Sequence, residues 1–412
     1  MPRKEHIVVG LDIGTTKICA IVAEITDEHA IQVIGFGSSP SRGLRKGVVV
    51  NIDSTVESIK KAVEEAELMA AVQINSVYIG IAGSHIASET ANGVVALKRQ
   101  EVTRADVQRA IETARASAVV PPDRRILHVL PREFIVDDQE GIRDPVGISG
   151  SRLEVDVHIV TGAVTSAQNL IKCVNRAGLD MVDLVLQPLA SSEAVLTEEE
   201  KELGVAMVDL GGGTSDVAIF SGGSISHSAV IPVGGQHLTR DLQIGLRTSQ
   251  ADAEQIKIKH GVALCELVRD NEPVEVPSVG GRPPRLLSRR DVAEIIEPRV
   301  EEIFDLVLRE IRRSGHEGKL AAGTVITGGT SLLEGMPDAA ERVLALPSRR
   351  GIPTGVGGLR DMVSKPMYAT GVGLLLLAQR MDRDLETVGV SGARKHHESV
   401  LSRMTGWMRE FF

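Results

Sequence analysis

The chain has 412 residues, 42% of them hydrophobic and 25% charged, which is too long for one ordinary domain and fits two soluble globular ones. Aromatic residues make up only 2%, so the cores must be built from Val, Ile, Leu and Ala. A net charge of -9 excludes nonspecific nucleic-acid binding, which needs a basic footprint, and no nucleic-acid partner is expected.

Cys19, Cys173 and Cys265 lie far apart and form no metal or disulfide pattern, as expected in a reducing cytoplasm. The charged start at Met1–His6 runs straight into strand-like sequence, which predicts no signal peptide. The apolar run Val372–Ala378 is too short to span a bilayer.

In chain order, Ile7–Leu11 and Ile18–Ile25 predict a hairpin whose tip carries Asp12-Ile-Gly-Thr-Thr-Lys17. Strand character continues at Ile31–Gly35 and Gly47–Val50. Helical spacing follows over Ser54–Ala71, with Ser54 as the expected N-cap, and then a buried strand at Val77–Ala82. From about Ser84 to Thr161 short strands alternate with a charged helix, Arg104–Ala118, which reads as an inserted subdomain. Strand Asp156–Val164, helix Ser166–Ala177 and strand Met181–Leu186 resume the earlier pattern.

A second half opens at Val205–Leu210 and runs into Asp209-Leu-Gly-Gly-Gly-Thr-Ser-Asp216. Strands are expected at Val217–Phe220 and Ser226–Pro232, and helices at His237–Ile244 and Ser249–His260. The Pro/Gly-rich stretch Asn271–Pro284 reads as an exposed loop. A long helix over Ser288–Arg313, a strand at Val325–Gly329 and a closing helix at Met367–Ala378 complete the body.

The two hairpin tips superimpose when Asp12 is placed on Asp209. Each follows an apolar strand, reaches glycine two residues later (Gly14, Gly211) and leads into another apolar strand, an internal repeat of one supersecondary unit. Such turns suit a nucleoside triphosphate. Gly14, Gly211, Gly212 and Gly213 let the backbone approach an anion, and Thr15, Thr16 and Thr214 add hydroxyl donors. Lys17 adds a positive charge. Asp12 and Asp209 would repel bare phosphate, so their expected role is holding Mg²⁺ through water.

The pair resembles the phosphate motifs of the actin, Hsp70 and hexokinase superfamily. Gln187-Pro-Leu-Ala-Ser-Ser-Glu-Ala194 is similar to its first connecting helix, with Gln187 where the superfamily orients an attacking water. Ile326-Thr-Gly-Gly-Thr-Ser331 resembles the adenosine motif, which assigns Gly328, Gly329 and Thr330 to the nucleoside. Ala369-Thr-Gly-Val-Gly373 resembles the second connecting helix. Glu254 and Lys257 resemble the residues at adenine and ribose, and Gly234 and Gly235 the turn beside them. The implied fold is α/β, two actin-like domains built on duplicated ribonuclease-H-like units.

The last fourteen residues, Ser399–Phe412, have helical amphipathic spacing. Val400, Leu401, Met404, Trp407, Met408, Phe411 and Phe412 form one face, and arginines flank it, which suits a membrane surface. Asp382–Glu398 is polar and mixed in charge and reads as a flexible linker.

An actin-like body with such a tail resembles the FtsA family of bacterial cell-division proteins over essentially the whole chain. Gly80-Ile-Ala-Gly-Ser-His-Ile86, Gly234-Gly-Gln-His-Leu-Thr-Arg-Asp241 and Ala253-Glu-Gln-Ile-Lys257 agree. The resemblance implies subdomain 1A at 6–84, 163–195 and 366–381, and an inserted subdomain 1C at 85–162. It implies subdomain 2A at 196–233 and 315–365, and 2B at 234–314. It further implies ATP and Mg²⁺ binding with weak ATPase activity at most, self-association into filaments, and contacts with later division proteins. The tail would tether filaments of the tubulin-like protein FtsZ to the cytoplasmic face of the inner membrane at the septum. The helix matching Ile296–Arg313 would meet FtsZ, with Arg299 and Glu302 as candidate contacts. A small-molecule kinase and a pilus protein of the PilM type are the competing members of the superfamily. The kinase has no use for the terminal helix, and PilM usually lacks it.

Overall fold

The structure, a computed structural model, describes residues 6–387 except 27, 270, 271 and 281. The amphipathic face at 400–412, and the linker beyond 387, lie outside the described residues.

The first unit opens with an antiparallel meander of β1 (His6–Ile13), β2 (Lys17–Ile25) and β3 (Ile31–Pro40). A small hairpin, β4 (Leu44–Arg45) and β5 (Val48–Val49), leads to α1 (Ile52–Ala70) and to β6 (Ser76–Ile81), which lies parallel to β1. The cap of α1 is Asn51, not Ser54: Asn51 is extended and its side chain accepts the Ser54 N–H at 3.0 Å.

The chain then leaves for the insert: β7 (Ile86–Ala96), α2 (Arg104–Ser117), β8 (Arg124–Val136), β9 (Gln139–Ile142) and β10 (Arg152–Ala163). Its antiparallel sheet has the order β7-β10-β8-β9. The strands are longer than expected, 13 residues in β8 and 12 in β10, because register shifts within the pair keep them matched. Then α3 (Val164–Arg176), β11 (Asp180–Leu186) and α4 (Gln187–Val195) return to the first unit.

The second unit repeats the plan. It runs α5 (Glu198–Leu203), β12 (Val205–Leu210), β13 (Ser215–Ser221), β14 (Ser224–Ile231), α6 (Gly235–Leu246) and α7 (Gln250–His260). Next come β15 (Pro273–Val276), β16 (Arg285–Ser288) and α8 (Arg289–Arg313). The last stretch is β17 (Thr324–Thr327), α9 (Met336–Leu344), β18 (Ser348–Arg350), β19 (Gly357–Gly358), α10 (Arg360–Val363) and α11 (Ala369–Thr387).

The stretch read as a loop at Asn271–Pro284 contributes a strand, β15, paired with β16. Val274 and Val276 are buried while Glu275 is exposed, a period-2 signal too short to stand out beside the neighbouring prolines and glycines. The closing helix runs on to Thr387, into the segment read as linker.

The two main sheets have the orders β11-β6-β1-β2-β3-β19 and β14-β13-β12-β17-β18. Apart from edge strand β19, each is a three-strand meander whose first strand pairs with a parallel strand that pairs in turn with a second parallel strand. β1 is buried on both faces and therefore reads as a continuous apolar run. Val9, Leu11 and Ile13 face the core under α1 and α3, while Val8 joins the core under α4 and α11. That second core also takes Val205, Met207 and Ala218, so α4 and α11 form a layer shared by both units.

The helices α4 and α11 meet with almost no gap. A Cβ at Gly373 would lie 1.7 Å from the Ala190 carbonyl oxygen. No rotamer change relieves a clash with backbone, so Gly373→Ala must move a helix. The expected loss of stability is on the order of 3 kcal/mol, read as a lower urea midpoint with an unchanged slope.

Candidate functional site: a cleft between two glycine turns

The site begins at the ends of β1 and β12. Cross-strand register sets Asp12 opposite Cys19 and Asp209 opposite Asp216. Each turn closes identically: the Gly14 N–H donates to the Lys17 carbonyl at 3.0 Å, and the Gly211 N–H to the Thr214 carbonyl at 2.9 Å. The sequence repeat is therefore also a geometric one.

The two turns touch across the molecule. A Cβ on Gly212 would lie 2.3 Å from Thr16 Cγ2, and one on Gly213 would lie 2.7 Å from Thr15 Oγ1. Between the units lies a cleft of about 580 Å³. It is lined by Asp12, Gly14, Thr15, Thr16 and Lys17 from the first turn and by Asp209, Gly211, Gly212, Gly213 and Thr214 from the second. Gln187, Gly235, Glu254, Lys257, Gly328, Gly329 and Thr330 line it as well. Gly234 stands just behind, where a Cβ would meet the Gly211 carbonyl oxygen at 2.7 Å.

The connecting helices carry polar groups into the cleft. Gln187, first residue of α4, donates from Nε2 to Asp12 Oδ1 at 3.2 Å. One turn on, the Ser191 hydroxyl donates to Asp209 Oδ2 at 2.7 Å, and the Thr370 hydroxyl of α11 reaches the same oxygen at 3.5 Å. Gly328 has φ 83 and passes so close that a Cβ would lie 2.4 Å from Asp209 Oδ1, so both conformation and space require glycine.

Lys17 is held from several sides. Its ammonium donates to the Met367 carbonyl at 2.8 Å, lies 3.7 Å from Asp12 Oδ2 and sits 4.4 Å from the centre of the Tyr368 ring. At the far end Lys257 Nζ donates to Glu254 Oε2 at 2.7 Å, to Thr239 Oγ1 at 2.9 Å and to the Gly235 carbonyl at 3.2 Å. Glu254 and Lys257 thus pair with each other and face the cleft. Arg299 and Glu302 lie elsewhere on α8. Arg299 binds Asp241 of α6 through two bonds, 2.7 and 3.2 Å, and also pairs with Glu302.

Asp216 and Arg289 are charged lining residues to which the sequence assigned no role. Asp216 stands where the first turn has Cys19, and that asymmetry of the repeat is the signal that marks it. Its Oδ1 is buried without a hydrogen-bond partner. Arg289 opens α8, donates from Nε to the His260 carbonyl at 3.2 Å and pairs with Glu334.

Burial raises all three carboxyls. It lifts Asp12 against the opposing charge of Lys17. It separately lifts Asp209 to about 6, against the Ser191 hydrogen bond and with the charge of Asp12. Asp216 is raised well above the usual range by burial first and then by Asp209 and Asp12. Among the described residues no three His, Cys, Asp or Glu side chains close into a direct metal cage. The set is an acidic pocket in which burial and mutual repulsion oppose full ionisation.

For Asp209 the folded chain keeps a proton that the unfolded chain has already lost between about pH 4 and pH 6. Stability of the ligand-free protein therefore falls as pH rises through that window. Asp209→Asn removes this penalty and should add on the order of 1–3 kcal/mol at pH 7 and nothing below about pH 4. Urea unfolding at the two pH values measures it.

Comparison with known proteins places this geometry in a family. The family model described as "Cell division protein FtsA" matches residues 206–373, and the "SHS2 domain inserted in FTSA" matches residues 83–161. A cell division protein FtsA of Pseudomonas aeruginosa is 49% identical over 409 residues, 98% of each chain. One of Neisseria meningitidis is 46% identical over 415 residues, the full length of both. Among solved structures, a PilM-PilN type IV pilus biogenesis complex has TM-score 0.66 at 16% identity, covering 92% of this chain and 99% of that one. MreB5 of Spiroplasma citri bound to ADP has TM-score 0.58 at 15% identity, covering 93% and 99%. The last two establish an actin-like fold. Full-length identity to the curated relatives carries the rest: this chain belongs to the FtsA family of cell division proteins.

Proposed function

We propose that this chain is an ATP-binding, filament-forming adaptor that ties FtsZ polymers to the cytoplasmic face of the inner membrane at the division septum. The observation that carries the reading is the pair of matched glycine turns closing on one cleft beside three carboxylates. Bare glycine backbone where any Cβ would collide, hydroxyls from Thr15, Thr16 and Thr214, and Lys17 suit a polyphosphate. Asp12, Asp209 and Asp216, with one orphaned oxygen on Asp216, suit Mg²⁺ held through water. When bound, the ion supplies charge neutralisation between phosphates and carboxylates. Gly235, Glu254, Lys257 and Gly328–Thr330 are the proposed nucleoside contacts.

The same residues argue for slow turnover. Gln187 orients through its hydrogen bond to Asp12, but an amide is a poor proton acceptor. Nucleotide then serves as a structural ligand that fixes the two units against each other. Self-association would present many tails on one polymer, and effective concentration would turn weak single anchors into firm attachment. No helix among the described residues is long and apolar enough to cross a membrane, which agrees with peripheral attachment through residues 399–412. Arg299 and Glu302 are the proposed FtsZ contacts; Arg299 is already fixed by Asp241, which would give that surface a rigid shape.

Two measurements test the reading. Gly212→Val forces a side chain into Thr16, and should cut ATP affinity by roughly 100-fold or more, about 3 kcal/mol, in a fluorescent-nucleotide assay. Unchanged affinity removes the second turn from the site. Separately, liposome co-sedimentation with ATP and Mg²⁺ compares the full chain with one ending at Glu398, each with and without FtsZ. The full chain should pellet and bring FtsZ down, and the truncation should do neither. If both forms stay in the supernatant, the membrane reading fails and the tail is a protein-docking element.

A further inference from the structure

The insert packs against the second unit along β14. There the Ser88 hydroxyl donates to the Ser228 carbonyl at 2.7 Å, and His158 Nε2 lies 2.9 Å from the Ser228 hydroxyl. Beside this joint is a second cleft of about 420 Å³. Arg132, Glu133 and Arg143 reach it from the insert, and Glu202, His316 and Lys319 from the second unit. It shares no lining residue with the nucleotide cleft.

The charges in this second cleft are unevenly matched. Arg143 pairs with Glu202, and Glu133 Oε2 accepts the Gly141 N–H at 3.3 Å. Arg132 and Lys319 have no ion pair and no side-chain hydrogen bond among the described residues. Arg132 Nε is buried and unpartnered. A buried donor on a cation is costly to leave unpaired, and in native proteins such groups normally have a partner.

His316 is buried beside these cations. Its Nδ1 lies 2.8 Å from the Ser314 carbonyl oxygen, which assigns the proton to Nδ1 and leaves Nε2 for another partner. Burial first, then the charges of Arg132, Lys319 and His227, hold its pKa below the ordinary value. His158 is pushed down to about 3 by burial and then by His227, Arg132 and His128. Glu133 and Glu202 also line the cleft, and Glu310 lies 3.3 Å from His227, so three cationic side chains, Arg132, Arg143 and Lys319, face two carboxylates there.

We propose that this cleft binds a small phosphate-bearing anion across the joint, between Arg132 of the insert and Lys319 of the second unit, beside His316. Two cations without carboxylate partners match a dianion, and the guanidinium fork fits phosphate oxygens. Because the ligands come from both sides, occupancy restrains the insert relative to the second unit.

Inorganic phosphate titrated into the full chain tests this, with carbon-13-labelled histidine and ionic strength held constant with chloride. The chain has 11 histidines, and His316→Gln identifies the His316 signal. The signal should move saturably. Arg132→Gln combined with Lys319→Gln should raise the apparent Kd by roughly tenfold or more, and Arg132→Lys, which keeps the charge, by less. Neither side chain has a polar partner among the described residues to lose, so the thermal midpoint of the double variant should not fall. The proposal is overturned if phosphate moves the His316 signal no more than chloride does, or if the double variant binds as tightly as the parent. Saturation that leaves His316 unmoved also overturns it, by placing the anion elsewhere.

Discussion

The crossing of α4 and α11 is the constraint on which the cleft depends. Their backbones pack so closely that the Ala190 carbonyl occupies the space a Cβ at position 373 would need. That contact fixes where both helices begin. Gln187 at the start of α4 therefore falls on Asp12, and Ser191 and Thr370 fall together on Asp209. The same two helices bury Ala194 and Val195 on one side and Val372 and Leu375 on the other, in a core that takes residues from both sheets. A shift of either helix would disturb both the shared core and the hydrogen bonds to the two carboxylates.

Held in that frame, the cleft is electrostatically incomplete. Three carboxylates, two of them buried and Asp209 half-buried, stand near one ammonium, and the ammonium of Lys17 is engaged by the Met367 carbonyl and the Tyr368 ring as well as by Asp12. The fold tolerates this because hydroxyl and amide donors share the load on Asp12 and Asp209, while Asp216 keeps one bare oxygen. Sites that bind charged ligands commonly carry such local instability, since a perfectly satisfied pocket has nothing to gain from a ligand.

The insert solves a different problem. β14 is the edge of the second sheet, and an exposed edge offers unpaired backbone to other chains. The insert lies beside it through β7, β8 and β10, with His158 and Ser88 meeting Ser228. A neutral imidazole suits this buried place, because burial and nearby cations oppose its protonation.

The hairpin tips were legible because glycine spacing and strand hydrophobicity are local properties, and Asp12 and Asp209 could be paired by counting residues. Helix positions followed from apolar periodicity, as in α8, whose capping box at Ser288 and Asp291 is written in four consecutive residues. The cap of α1 was not legible, since Asn51 and Ser54 are both good caps and only the backbone path chose between them. The β15 strand was hidden by its proline and glycine neighbours until β16 paired with it. In the cleft, sequence alone determined which residue types stood at the turns. Tertiary structure alone decided the partners: Ser191 on Asp209 and Lys17 on the Met367 carbonyl in the cleft, and, away from it, Arg299 on Asp241. Those pairs are far apart along the chain, and burial and charge act through space, where sequence spacing carries no information.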